Sequence, residues 1–127
     1  MTIPPTPSLP PEPPVKELSA GQLLRLVENR DVYRAKAVFE LAARAKTDDA
    51  AADALGRISR LPVARNDRLF HLVSLAWAAI IALLAAETPH SRNIAYEATA
   101  ELGERDQADL LTYLKVARIE DAHPDPL

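Results

Sequence analysis

Eighteen consecutive residues without a formal charge, Leu69 to Ala86 (LFHLVSLAWAAIIALLAA), run through the middle of this chain. Arg65 and Arg68 fence them on one side and Glu87 on the other. A helix that is apolar on every side has to be hidden by other helices or by lipid. As one helix, the run would be about 27 Å long, just short of a bilayer core. Its leucine, isoleucine, valine and phenylalanine content favours insertion. His71 and Ser74 inside the run, and Trp77 at its middle, oppose it. The rest of the chain reads as amphipathic helices whose apolar faces also need cover. The stretch is therefore expected to be the central helix of a globular domain, spanning about 66–87. Ala76, Ala79, Ala82 and Ala86 would admit neighbouring backbones, and Phe70, Val73, Trp77, Ile80 and Leu84 would fill the thicker side. A membrane-anchored protein spanning at 69–86 is the alternative.

The apolar fraction is 48%, but aromatics make up only 5% and there are only 3 glycines. Alanine, leucine, arginine and glutamate dominate, which are good helix formers, and residues that favour strands are scarce. No long alternation of apolar and polar residues suggests a half-buried strand. The expected class is all-α. There are no cysteines, which excludes disulfides, thiolate nucleophiles and cysteine-based metal sites and fits a reducing compartment. The first residues (MTIPPTPSLPPEPPVKE) show neither a basic n-region nor an apolar h-region, so a cytoplasmic location is expected.

Residues 1–17 read as a proline-rich extended leader. Pro4, Pro7, Pro10 and Pro13 recur every third position, with Pro5, Pro11 and Pro14 as a second row. Polyproline II has three residues per turn, so each row would lie along one edge of an extended helix. Such a segment is either a spacer or a ligand for an aromatic-lined groove. Residues 18–120 read as the helical domain and 121–127 as a tail. Ser19 with Gln22 forms a capping-box signature for the first helix, Leu18 can staple onto Leu23, and Asn29 can stop it. Asp31 is expected to cap a second helix, with Val38, Leu41, Ala42 and Ala45 inward. Thr47 is expected to cap a third, carrying Leu55, Ile58 and Leu61 and ending at Pro62. Thr88 with Pro89 opens a fifth, with Ile94, Ala95, Ala98 and Leu102 as its stripe. Asp106 is expected to cap a sixth, carrying Leu110, Leu111, Leu114 and Ala117. Short connections between six helices imply antiparallel neighbours.

Arg92, Ala95, Ala98, Leu102 and Gly103 follow the second-helix spacing of a HEAT-type repeat, and residues 69–103 resemble one helix pair of that family. Arg34 and Ala37 fit the same pattern, whereas Glu40 and Arg44 depart from it. The resemblance implies stacked helical hairpins, a short right-handed α-solenoid or compact bundle, in a shape used to bind protein or nucleic acid. It carries over no functional residue.

Glu87 and His90 have the Glu-x-x-His spacing of carboxylate metal bundles, but Pro89 between them marks a helix boundary and no second copy exists. His71 and Ser74 share a helical face without a nucleophile turn or oxyanion loop. No glycine loop is present to cradle phosphate. No catalytic residue, metal or cofactor is expected, and no small-molecule substrate. The net charge of −3 is unevenly spread. Arg57, Arg60, Arg65 and Arg68 face only Asp67 over residues 54–68, whereas residues 97–127 carry eight acids against Arg105, Lys115 and Arg118. The arginines are candidate partner-binding residues, together with Pro4, Pro7, Pro10 and Pro13. They could also meet Glu97, Glu101 and Glu104 of a second copy, giving a homo-oligomer. Tyr33, Tyr96 and Tyr113 are further surface candidates. The expected function is a non-enzymatic adaptor for a protein partner, the alternative a small regulator binding nucleic acid through the Arg57–Arg68 turn.

Overall fold

The computed structural model describes residues 11–70 and 73–126. It is mostly helical. Among the described residues there are seven α-helices: α1 (Ala20–Glu28), α2 (Arg34–Arg44), α3 (Asp49–Arg60), the four-residue α4 (Pro62–Arg65), α5 (Leu75–Ala86), α6 (Pro89–Ala100) and α7 (Glu104–Leu114). A short antiparallel hairpin of β1 (Arg68–Phe70) and β2 (Val73–Ser74) precedes α5, and 3-10 turns lie at Val15–Glu17 and Ile119–Asp121.

The central apolar run is not one helix, which corrects the sequence expectation. Leu69, Phe70, Val73 and Ser74 belong to the hairpin strands, and α5 begins only at Leu75. Ser74 sets that boundary. Its hydroxyl accepts a hydrogen bond from the Trp77 amide at 3.1 Å, satisfying a donor that helix geometry leaves orphaned. The Leu75 amide turns back to the Asp67 carbonyl at 2.8 Å, closing the hairpin's base. With 12 residues, α5 is about 18 Å long, against about 30 Å for a bilayer's hydrocarbon. No helix among the described residues is long and apolar enough to cross a membrane.

Eleven of the 12 residues of α5 are buried. Cover comes from α2, α3 and α6, and α3 in turn packs on α1, α2 and α6. The buried apolar residues form one continuous cluster. Close approach is built in at Gly56, where a Cβ on α3 would lie 2.5 Å from Ile94 Cγ2 of α6. Glu87, in the left-handed conformation, ends α5, and Thr88 opens α6 at once.

Several caps fall where expected. Ser19 accepts from the Gln22 amide at 3.1 Å while Gln22 Oε1 accepts from the Ser19 amide at 2.8 Å. Thr88 and Ser91 form a second reciprocal box. Three caps are displaced. Asp31 accepts from the Tyr33 amide at 2.9 Å, an Asx-turn that delays α2 to Arg34. Asp48, not Thr47, caps α3 through the Ala50 amide. Gly103 precedes α7, and Asp106 lies inside that helix with its carboxylate accepting from Trp77 Nε1 at 3.0 Å. Lys115, in the left-handed conformation, ends α7 at Leu114, so the helix does not reach Ala117.

Gly56→Ala is expected to destabilise the fold by about 1–3 kcal/mol through overpacking, despite alanine's better helix propensity. The loss should shrink in the Gly56→Ala/Ile94→Ala background, because the clashing methyl is gone. Urea unfolding of the four corners of this cycle checks it. Strict additivity of the two substitutions would contradict the packing described.

Candidate functional site

The four arginines of residues 57–68 do not form a free cationic patch. Arg60 of α3 pairs with Glu101 and stands 4.0 Å from a carboxylate oxygen of Glu97, both on α6. Arg65 Nε donates to the Ser59 carbonyl at 3.3 Å. Arg57 is exposed on α3 and Arg68 lies on β1. Asp67, their one acidic neighbour in sequence, is taken by Arg34, which also donates to the Asp31 carbonyl at 3.0 Å. Glu97 and Glu101, expected to meet a second copy, are thus engaged by Arg60 of the same chain.

Pro4, Pro7 and Pro10 lie outside the described residues. Pro13 is half-buried, and its carbonyl accepts from the Val15 amide at 2.8 Å. The chain around it is fastened along α2. Glu12 pairs with Lys36, and the Arg44 guanidinium donates to the carbonyls of Leu18, Val15 and Lys16 at 2.7, 2.9 and 3.0 Å. The histidines diverge. His90 Nε2 sits 2.7 Å from Asp53, His123 Nδ1 sits 2.8 Å from Glu87, and His71 lies outside the described residues. Glu87 and His90 therefore serve different neighbours. Tyr33 and Tyr96 are half-buried, while Tyr113 is 42% exposed and lies 5.9 Å from the Trp77 ring.

A concavity lined mainly by apolar residues lies elsewhere, along the α2–α5 seam. It measures about 240 Å³ and is lined by Phe39, Ala42 and Ala43 of α2 with Ala82, Ala85 and Ala86 of α5. Lys46 stands at its rim and Pro126 forms one wall. Alanines face alanines across this seam, so neither helix fills the gap. Phe39 is 39% exposed, unusual for a large aromatic side chain beside a continuous core. Sequence periodicity placed Val38 and Leu41 inward and passed over Phe39. The available signal was an aromatic residue off the helix's apolar stripe.

Pro126 reaches the groove because Arg92 ties down the segment after α7. Arg92 Nη2 donates to the Glu120 and Ala122 carbonyls at 3.1 and 3.0 Å. Its Nη1 donates at 3.2 Å to the Leu84 carbonyl, at the end of α5, and to Glu87. Its Nε donates to the Tyr96 hydroxyl at 2.7 Å. Ile119 and Ala122 are buried beneath this strap. Its outer fastening is His123 on Glu87, a hydrogen bond that, with the Arg92 charge, holds the Glu87 carboxyl below the usual carboxylate range.

Arg92→Lys should loosen the strap nearly as much as Arg92→Ala, by about 1–3 kcal/mol, because a lone ammonium cannot span five separated acceptors. Amide exchange at Ala122 measures it, and retained protection in the lysine variant would contradict the geometry. The Glu87 contact has a defined pH sign. A carboxylate with a lowered folded-state pKa stabilises above its unfolded value of about 4.3, and that contribution is lost as pH falls through the folded value. Both partners are exposed, so the effect stays below about 1 kcal/mol. Urea unfolding across the acid range should show a shallower loss of stability in Glu87→Gln than in the parent.

Comparison with protein-family models, curated proteins and solved structures finds no match for this chain.

Proposed function

We propose that the protein is a non-enzymatic protein-interaction module of helical-repeat type, an adaptor whose docking site is the α2–α5 groove. The observation that carries this reading is the exposed Phe39 ring at the mouth of an alanine-lined cleft. Apolar surface held open to water is favourably covered by a partner, and aromatic anchors concentrate binding energy at such positions. The partner would insert one bulky apolar side chain, with acidic residues beside it to meet Lys46 at the rim. The α5–α6 pair, joined directly through Glu87 and Thr88, supports the helical-repeat character. Arg60 is already neutralised within the chain, which disfavours the arginine turn as a nucleic-acid surface. A chain without cysteine suits a reducing compartment, and the cytoplasm is the proposed setting.

A photo-crosslinking residue placed at Ala43, in the source cells, should give a discrete adduct with another polypeptide, and the same residue at Ala108 on α7 should not. Once isolated, that polypeptide should bind Phe39→Asp at least tenfold more weakly than the parent. Unchanged circular dichroism would show that the variant still folds. The proposal is overturned by adducts insensitive to Phe39→Asp, or by a nucleic-acid gel shift that Arg57→Ala removes and Phe39→Asp leaves intact.

A further inference from the structure

A second cleft, sharing no lining residue with the α2–α5 groove, lies between α7 and the first turn of α5. It measures about 300 Å³ and is lined by Trp77, by Asp106, Asp109, Thr112 and Tyr113 of α7, and by Arg68 of β1. The spacing of 106, 109 and 113 puts both carboxylates and the phenol on one helical face. Asp106 has structural work there. It sits in α7's first turn, where a carboxylate suits the helix dipole, and it accepts from the Trp77 indole N–H at 3.0 Å. Asp109 has no such employment. It lies in the second turn, is exposed, and pairs with no cation among the described residues. Beside it stands Tyr113, 42% exposed, its ring 5.9 Å from that of the buried Trp77 and tilted by 45°. An open aromatic ring, braced by a buried one, thus adjoins two carboxylates.

Two carboxylates against the Arg68 guanidinium leave the lining with one uncompensated negative charge, which attracts a cation. The lining also selects among cations. A lysine ammonium is compact and strongly hydrated, so it gains little from a single ring. A methylated ammonium is held by a cage of several rings, and this cleft offers one open ring. A guanidinium is planar and weakly hydrated, and it stacks on one aromatic face while its N–H groups fork onto carboxylates. A closed cavity of about 150 Å³ admits benzene, a larger group, so the cleft has room for it.

We propose that this cleft binds the guanidinium of an arginine presented by a partner polypeptide, stacked on Tyr113 and paired with Asp109 and the second carboxylate oxygen of Asp106. The contact stands independently of the α2–α5 groove. Ala108 lies about 100° round α7 from Asp109, off the cleft's face, so it remains a control position for that groove.

The chain's single tryptophan supplies the reporter, because its indole N–H gives one resonance that needs no assignment. The full chain is titrated with acetyl-arginine amide and with the lysine, trimethyllysine and citrulline counterparts. The arginine amide should shift the indole resonance along a saturable curve, and citrulline, similar in shape but neutral, should not. The lysine and trimethyllysine amides should bind at least fivefold more weakly. Asp109→Asn, at an exposed position, should weaken arginine binding at least fivefold, as should Tyr113→Leu, each with an unchanged circular dichroism spectrum. Non-saturating shifts, equal responses to arginine and citrulline, or an affinity unaltered by Asp109→Asn overturn the proposal. Tighter binding of the trimethyllysine amide overturns the guanidinium assignment. A doubling of mass by light scattering that Asp109→Asn reverses overturns the separate partner, since the arginine would then belong to a second copy.

Discussion

A helix with almost no polar side chain has to be covered on every side, and α5 imposes that demand on the whole molecule. Eleven of its 12 residues are buried, and its polar attachments include the Ser74 cap, the Trp77 indole N–H to Asp106 and the Leu84 carbonyl to Arg92. Covering such a cylinder needs neighbours on all faces, which α2, α3 and α6 supply. The alanines of α5 set how close those neighbours come. Elsewhere in the core a large side chain fills the space a small residue leaves, as Ile94 of α6 does over Gly56 of α3, and the gap closes. Where alanine faces alanine, as Ala42 and Ala43 face Ala82 and Ala85, it stays open. The groove is thus the unfinished part of α5's cover, and its position follows from composition along two helices.

Arginine does a second job that shapes the surface. Arg34, Arg44, Arg60 and Arg92 each join segments far apart in sequence, reaching Asp67, the 15–18 carbonyls, Glu101 and the 120–122 carbonyls. Two of these use backbone carbonyls, which short helices and turns leave in excess at their ends. A guanidinium presents several donors in a fixed fork and can satisfy such groups together, whereas an exposed ion pair alone contributes about 0–1 kcal/mol. The cations that look like a binding patch in one dimension are in part the stitching of the fold.

The helical class, the capping box at Ser19, the Thr88 N-cap, and the inward stripes of α2 and α3 were legible because each rests on local rules. Boundaries inside the apolar run were not. With every residue from Val73 to Leu84 apolar or small, periodicity carries no phase, and only the hydroxyl of Ser74 marks where the helix starts. Asp31 and Asp48 show the same limit on a smaller scale. Each is a capping residue, but which nearby amide its carboxylate takes depends on backbone geometry that sequence leaves open. The groove was the least legible feature. It required knowing that α2 and α5 meet through their alanines, and that the segment after α7 returns to them.

That return gives the molecule two tiers of stability. The α3–α5–α6 centre is joined by fully buried side chains, and opening it means exposing the core. The strap is joined by Ile119 and Ala122 together with contacts near the surface of α6 and the α5–α6 turn, and Leu110 is the buried residue of α7. Segments with few buried contacts open locally at a fraction of the global unfolding free energy. The strap can therefore leave Arg92 without disturbing the helices that form the groove's floor. The α2–α5 groove thus combines both tiers, with α5 on its floor drawn from the tightly packed centre and Pro126 in its wall drawn from the strap.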